Sequence, residues 1–179
     1  FGEPSALDGL VQALSSDHPP AAEIRSLRWK EIPAREAAGF VIAPSLPGTG
    51  RRVSIPADLA TCPACVEEIF DPSDRRHRYP FTNCTDCGPR FTIALDAPYD
   101  RPVTSMAGFV MCEACQREYD DPLDRRFHAQ PNACPRCGPR LQAVSPEGKV
   151  LACADPIGMA ARLLGADLVV AVKGLGGYQ

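Results

Sequence analysis

The sequence has no surplus of positive charge: 19 Lys and Arg against 22 Asp and Glu leave a formal charge of -3. That balance disfavours a bulk electrostatic grip on nucleic-acid phosphates. Long apolar runs are also missing. The longest, residues 168–172, falls far short of the roughly 18 residues needed to cross a bilayer, and no charged-then-apolar leader opens the chain. Membrane spanning and leader-driven export are disfavoured, and the expected compartment is the cytoplasm. Aromatic residues make up only 7% of the chain, with a single Trp. Proline (19) and glycine (14) instead reach about 18% of the 179 residues, above the usual level of about 12%. Such a composition predicts many turns and short elements and no large, uninterrupted core. The chain opens on Phe1 and stops at Gln179 within a glycine-rich stretch, which reads as a piece of a longer polypeptide.

What the sequence does have is cysteine. Nine occur, and eight of them form four C-x-x-C pairs: Cys62 and Cys65, Cys84 and Cys87, Cys112 and Cys115, Cys134 and Cys137. Cys153 is left over, and an odd count argues against a closed disulfide set. Two thiols three residues apart on a tight turn aim both sulfurs at one point, and a second pair completes the four-sulfur cage that Zn(II) prefers. Eight such thiols suffice for two zinc ions. The pattern C-x2-C-x18-C-x2-C occurs twice at an offset of 50 residues, and residues 62–91 match residues 112–141 at 14 of 30 positions. The shared positions include Glu68, Asp71, Pro72, Asp74, Arg75, Arg76, Gly88, Pro89 and Arg90. This is an internal duplication.

Each copy predicts a short helical turn after the first cysteine pair, over 66–70 and 116–120, broken by Asp-Pro and followed by a basic loop. Gly88 and Gly138, directly after the last cysteine of each copy, suit a knuckle that turns through positive φ. Neither copy holds enough aliphatic side chains for a core of its own, so bound metal is expected to set the fold. Two pairings remain open. The duplication favours contiguous sharing within each copy, whereas an extended hairpin between the copies would suit interleaving of the outer and inner pairs. Iron in a rubredoxin-like cage and dithiol redox chemistry fit four pairs in register less well. His77 and His128, in the basic loops, are alternative ligands that eight thiols make unnecessary. The Arg75-Arg76 and Arg125-Arg126 pairs either offset the double negative charge of a four-thiolate zinc centre or lie in solvent. Cys153 reads as an inert packed thiol.

The flanks differ in kind. Leu7, Leu10, Val11 and Leu14 follow helical spacing with one apolar face, Ser5 and Asp8 resemble a capping box, and the Pro19-Pro20 pair ends the helix. Strand-like stretches follow over 27–29 and 39–42, and then a Pro- and Gly-containing linker over 44–55. Beyond the cysteines, 141–144 and 150–152 predict a hairpin. Asp155 and Pro156 predict the N-cap and first residue of a helix ending at Leu164 and capped by Gly165. A buried strand over 168–172 leads into Lys173-Gly174-Leu175-Gly176-Gly177-Tyr178. There glycine amides could approach a phosphate or carbamoyl group, with Lys173 supplying charge, although a simple structural turn reads as well.

The run from Cys62 through Tyr79-Pro80-Phe81-Thr82-Asn83-Cys84-Thr85-Asp86-Cys87-Gly88-Pro89-Arg90, with Asp124-Arg125-Arg126-Phe127-His128-Ala129-Gln130-Pro131-Asn132-Ala133-Cys134, resembles the double zinc finger of the HypF family. These are the carbamoyltransferases of [NiFe]-hydrogenase maturation. The resemblance implies an α+β, multi-domain fragment. Residues 1–43 would end an acylphosphatase-like domain, 44–60 form a linker, 61–98 the first zinc finger and 99–152 the second with its hairpin. Residues 153–179 would begin a YrdC-like α/β domain. It also implies ATP-dependent formation of a carbamoyl-adenylate from carbamoyl phosphate. The carbamoyl group then passes to the C-terminal cysteine of a partner maturation protein, becoming a cyanide ligand of the hydrogenase iron. On this reading Lys173, Gly174, Gly176 and Gly177 are candidates for a carbamoyl-adenylate site, the zinc fingers are a scaffold, and the chain by itself is inactive. The alternative is a free-standing zinc-ribbon adaptor that binds protein or nucleic acid through its arginine loops.

Overall fold

A computed structural model of the chain describes residues 2–19, 22–33 and 55–179. The chain divides into two compact units, Phe1–Arg51 and Arg52–Gln179.

In the first unit the apolar periodicity folds as predicted into α1 (Pro4–Ser16). It starts one residue before the expected capping pair. Glu3 is the N-cap and makes no side-chain cap bond, and Pro4 takes the first helical position. That position tolerates proline because its missing N–H has no helical partner anyway. The apolar stripe is open rather than buried, with Leu7, Leu10 and Leu14 exposed. Residues 22–33 form neither helix nor strand, so the strand expected over 27–29 is not formed. The strand expected over 39–42 and nearly all of the 44–55 linker lie outside the described residues.

The second unit is built by the duplication. Cys62 and Cys112, both in extended conformation, are the N-caps of α2 (Pro63–Phe70) and α3 (Glu113–Asp120). Each helix ends at the aspartate before a proline, Asp71 or Asp121, whose backbone is pushed to the extended region. The following loops are the same turn made twice. Asp74 N donates to Asp71 O and Arg78 N to Ile69 O; fifty residues on, Asp124 N donates to Asp121 O and His128 N to Tyr119 O. Asp74 and Asp124 each accept the amide of the second arginine, Arg76 or Arg126. Arg78 and His128 both sit in the left-handed region, at φ 57° and 52°. The repeated Asp-Pro-x-Asp-Arg-Arg sequence therefore specifies the loop as well as its charge.

The small core joins both copies to the chain between them. Tyr79 from the first copy and Ala133 from the second pack with Ile93 and Met106 from the connecting segment, against Phe81, Tyr99 and Phe109. That segment folds back on itself through the Ala94–Thr104 bridge, with Leu95 N donating to Val103 O and Ser105 N to Ile93 O. Arg101 fastens it to the second copy by donating to Gln130 O and Asn132 O, and ties the segment to itself by donating to Phe109 O. Four buried side chains form no large core, as the composition predicted.

Downstream, the predicted hairpin closes at the Val144–Val150 bridge, with Ser145 N donating to Lys149 O. The next helix is α4 (Pro156–Gly165), and Asp155 caps it by accepting the Gly158 amide at 3.0 Å. Its C-terminus corrects the expectation, because Gly165 is helical and Asp167 takes the left-handed turn at φ 58°. Leu168 N then donates to Leu163 O and Asp167 N to Leu164 O, which is the Schellman pattern. A short polar aspartate can occupy a position where glycine is the usual choice.

The strand expected over 168–172 is neither formed nor buried, and Leu168, Val169 and Val172 are exposed. Among the described residues the sheet half of the α+β expectation is reduced to isolated antiparallel bridges. Its backbone is tied at the ends, Leu168 N to Leu163 O and Val172 to Gln179 in both directions, but without a partner running alongside it periodicity alone cannot make it a strand.

Candidate metal centres

Both copies aim four sulfurs at one point. The helix start supplies Cys62 and Cys65 and the knuckle supplies Cys84 and Cys87; in the second copy these are Cys112, Cys115, Cys134 and Cys137. Within each set all sulfurs lie within 4.8 Å of one another. The sharing is thus contiguous, not interleaved. Sulfur separations run 3.7 Å (Cys62–Cys84), 3.8 Å (Cys84–Cys87) and 3.5 Å (Cys65–Cys87). Their counterparts are 3.7 Å (Cys112–Cys134), 3.8 Å (Cys134–Cys137) and 3.6 Å (Cys115–Cys137). Tetrahedral zinc–sulfur bonds of about 2.3 Å put neighbouring sulfurs about 3.8 Å apart, whereas a disulfide needs about 2.05 Å. All nine cysteines are free thiols, and the donor sets fit zinc.

Each knuckle is held from outside. Leu59 exchanges both backbone hydrogen bonds with Gly88, which turns at φ +90° as predicted. Arg90 wraps the first knuckle by donating to the carbonyls of Cys84, Thr85, Cys87 and Pro89. Gly138 departs from its expected role, since it is not in the left-handed region. It is small because space is short: a Cβ there would stand 2.5 Å from the Ala133 Cβ and would run into the Tyr79 hydroxyl.

The sequence reasoning missed where the arginines go. Arg75 and Arg76, in the first copy's loop, reach the second centre. Arg75 donates to Cys115 Sγ from both terminal nitrogens at 3.4 Å, and Arg76 Nη2 lies 3.8 Å from the same sulfur. Arg125, in the second copy, reaches the first centre, at 3.1 Å from Cys65 Sγ and 3.7 Å from Cys62 Sγ. Glu118 accepts from both Arg75 and Arg76, and Glu68 from both Arg125 and Arg126. Each glutamate stands three residues after a ligand cysteine on α2 or α3, so carboxylate and sulfur share one helix face. The spacing Cys-x-x-Glu, present in both copies, was the available signal.

The second arginine of each pair is fully engaged. Arg76, 1% exposed, donates to Ala133 O, Glu118 and the Oδ1 of buried Asn132, whose own amide donates to Cys115 O. Arg126 donates to Asn83 O and Glu68.

Burial by itself would raise the Glu118 carboxyl, but Arg76 and Arg75 bring it down to about 2. Glu68 is likewise held below its ordinary range by Arg126 and Arg125, against burial. The thiols divide within each set. Cys84 is pulled down to about 5, first by its hydrogen bond with Cys65, while Cys65 is raised. Cys112 falls to about 6 because the Cys115 amide and the neighbouring thiols outweigh burial, while burial raises Cys115.

Neither histidine joins a set. His77 is exposed, and the His128 ring packs on Tyr119 and Phe127 at 4.8 and 4.6 Å. Cys153 stands alone, half-buried. The glycine-rich segment forms a tight turn closed by Gly174 N donating to Gly177 O at 2.7 Å and by the Lys173–Tyr178 bridge. The Lys173 ammonium lies 5.5 Å from the Tyr178 ring centre. The remaining positions of that turn, Gly174 and Gly176, are exposed.

Two four-sulfur sets in one duplicated unit correspond to a known signature: the HypF finger family model matches residues 61–94 and 111–144. Similarity extends further. The carbamoyltransferase HypF of Synechocystis sp. is 51% identical over 175 residues, covering 97% of this chain and 23% of that protein. The carbamoyltransferase HypF of Rhodobacter capsulatus is 47% identical over 178 residues, with 97% and 23% covered.

The chain belongs to the HypF family.

Among solved structures, a full-length HypF in its phosphate- and nucleotide-bound form is 41% identical with a TM-score of 0.85, covering 99% of this chain and 23% of that one. The HypF of T. kodakarensis is also 41% identical, with a TM-score of 0.78 and 97% and 21% covered. The chain therefore spans under a quarter of the length of the HypF proteins it matches. No helix among the described residues is long and apolar enough to cross a membrane.

Proposed function

We propose that this chain is the zinc-binding scaffold region of a carbamoyltransferase of the HypF type. The observation that carries the reading is the pair of sulfur sets at tetrahedral spacing, locked to each other by crossed arginines into one block with almost no conventional core. Zinc, when bound, supplies a four-coordinate cross-link at each set; the ligands are Cys62, Cys65, Cys84 and Cys87, and Cys112, Cys115, Cys134 and Cys137. The chain's own residues do the rest. They neutralise the sulfurs, cap α2 and α3, and present rigid ends to the polypeptide on either side.

On this reading residues 1–43 belong to an acylphosphatase-like domain, 44–60 to a linker, 61–98 and 99–152 to the two fingers, and 153–179 to the start of a YrdC-like domain. The whole protein uses ATP to convert carbamoyl phosphate into a carbamoyl-adenylate. The C-terminal cysteine thiolate of a partner hydrogenase maturation protein attacks the carbamoyl carbon, forming the C–S bond as the C–O bond breaks and AMP, a good leaving group, departs. Lys173, Gly174, Gly176 and Gly177 line the approach to the adenylate. Nine free thiols suit the reducing cytoplasm.

The adaptor reading loses its main tool, because all four loop arginines are committed to glutamates and sulfurs. The cleft they border, about 670 Å³, is lined by those four arginines and by Glu68, Asp74, Glu118 and Asp124, which leaves no cationic surplus for phosphates. Elemental analysis of the reduced, purified chain tests the scaffold, with two zinc ions expected and none sinking it. In the full-length protein, Lys173→Ala is expected to slow ATP-dependent turnover of carbamoyl phosphate while zinc content stays at two. Unchanged turnover would remove the loop from the site.

A further inference from the structure

The cations that face each sulfur set are delivered by the other copy. Arg125 and Arg126 can sit on Cys62, Cys65 and Glu68 only while their own loop, 121–128, is folded on α3. Arg75 and Arg76 can sit on Cys115 and Glu118 only while the loop 71–78 is folded on α2. Each of those helices begins at a ligand cysteine, Cys112 for α3 and Cys62 for α2. Metal at one centre therefore organises the loop that serves the other. Two backbone ties reinforce the crossing: Thr85 N, beside the first knuckle, donates to Arg125 O at 3.1 Å, and Arg76 Nε donates to Ala133 O, beside the second, at 3.0 Å.

We propose that the two centres are thermodynamically linked, with Arg125 and Arg126 as positioning residues for the first ion and Arg75 and Arg76 for the second, so that losing either ion loosens the other. A four-thiolate zinc centre carries two formal negative charges. Guanidinium groups donating to its sulfurs offset that charge and orient the ligands, as outer groups do at other metal sites. Linkage is reciprocal by necessity: whatever affinity the second ion lends the first, the first lends the second. The inference rests on zinc occupying both centres, as proposed above.

The test uses the full 179-residue chain, loaded with zinc under reducing conditions, with its metal content measured first. A chain without two ions sinks the zinc reading; a chain with two puts the linkage itself to trial. In the double variant Cys134→Ser with Cys137→Ser the first centre keeps all four ligands. Chelator competition should nevertheless show its ion bound about 10- to 100-fold more weakly. An unchanged affinity overturns the proposal.

Single arginine variants disturb the fold less and give a crossed signature. During a chelator challenge with maleimide labelling, Arg125→Met should expose Cys62, Cys65, Cys84 and Cys87 before the second set, and Arg75→Met should expose Cys112, Cys115, Cys134 and Cys137 before the first. Arg125→Lys should restore part of the protection. In cobalt-substituted protein, the sulfur-to-metal charge-transfer bands of the first centre should move in Arg125→Met and stay put in Arg75→Met. Labelling of the variant's own copy first, or of either set at the unmutated rate, overturns the inference.

Discussion

Nη2 of Arg125 lies 3.1 Å from Sγ of Cys65, sixty residues earlier in the chain and in the other copy of the repeat. The same arginine holds Glu68 at 2.9 Å, one helical turn beyond that sulfur. Ligand, counter-charge and carboxylate form one unit whose members come from both halves of the duplication.

Ligand loss should register in metal content. Cys87→Ser should release at least one of two zinc ions per chain and lower stability sharply. Cys153→Ser, outside both sets, should leave content and stability alone. Elemental analysis with thermal melting checks both, and an unchanged metal count in Cys87→Ser refutes the ligand assignment.

Chelation should unfold the second unit preferentially. Removing metal from reduced protein is expected to abolish amide protection in α2 and α3, because little apolar surface is buried around them. In α1, which bears no ligands, exchange should be unaffected. Hydrogen exchange followed by mass spectrometry separates the two.

Two glutamates in the same short helix should behave oppositely. Glu118→Ala leaves the nearly buried Arg76 without its carboxylate and should cost about 3–5 kcal/mol in denaturant unfolding. Glu113 pairs with Arg117 in the open, and Glu113→Ala should cost less than about 0.5 kcal/mol.

Acidification should release metal before it breaks the glutamate pairs. The folded Glu118 carboxyl, lowered from 4.5 to about 2, contributes stability that is fully present above pH 4.5 and fades as pH falls toward 2. Thiolate ligands exchange zinc for protons as the solution becomes acidic. A zinc indicator should therefore report release above pH 4.5, where the stability difference between the unmutated chain and Glu118→Gln is still at its full size.

Gly138 should resist enlargement. Gly138→Ala places a methyl against Ala133 and Tyr79 in the small core and should cost about 1–3 kcal/mol. Gly108→Ala, with no atom within 4 Å of the added carbon, should stay within about 0.5 kcal/mol by the same melt.

The parts of the fold written in local chemistry were legible. Cysteine spacing announced both sulfur sets, Leu7 to Leu14 announced α1, and Asp155-Pro156 announced the start of α4. What escaped was set by distance along the chain. The duplication showed that Glu68, Arg75 and Arg76 mattered to both copies. Nothing in the order of residues, however, says that an arginine serves the sulfurs 40 or 60 positions away instead of its own. The left-handed turns at Arg78, His128 and Asp167 were hidden for a related reason, since loop hydrogen bonds hold side-chain-bearing residues where glycine would be the ordinary signal. The strand expected at 168–172 failed because a strand is defined by its neighbour.

The crossed contact obeys the rule of an isologous interface: position 75 meets position 118, and position 125 meets position 68, its exact counterpart under the repeat. That is how two identical protomers touch across a dyad, here tethered into one polypeptide. Tethering frees each half to diverge. Asn132 clasps an arginine where its counterpart is Thr82, and Thr85 donates to a neighbouring carbonyl where its counterpart is Pro135. A self-associating pair of single chains could never have made such one-sided adjustments.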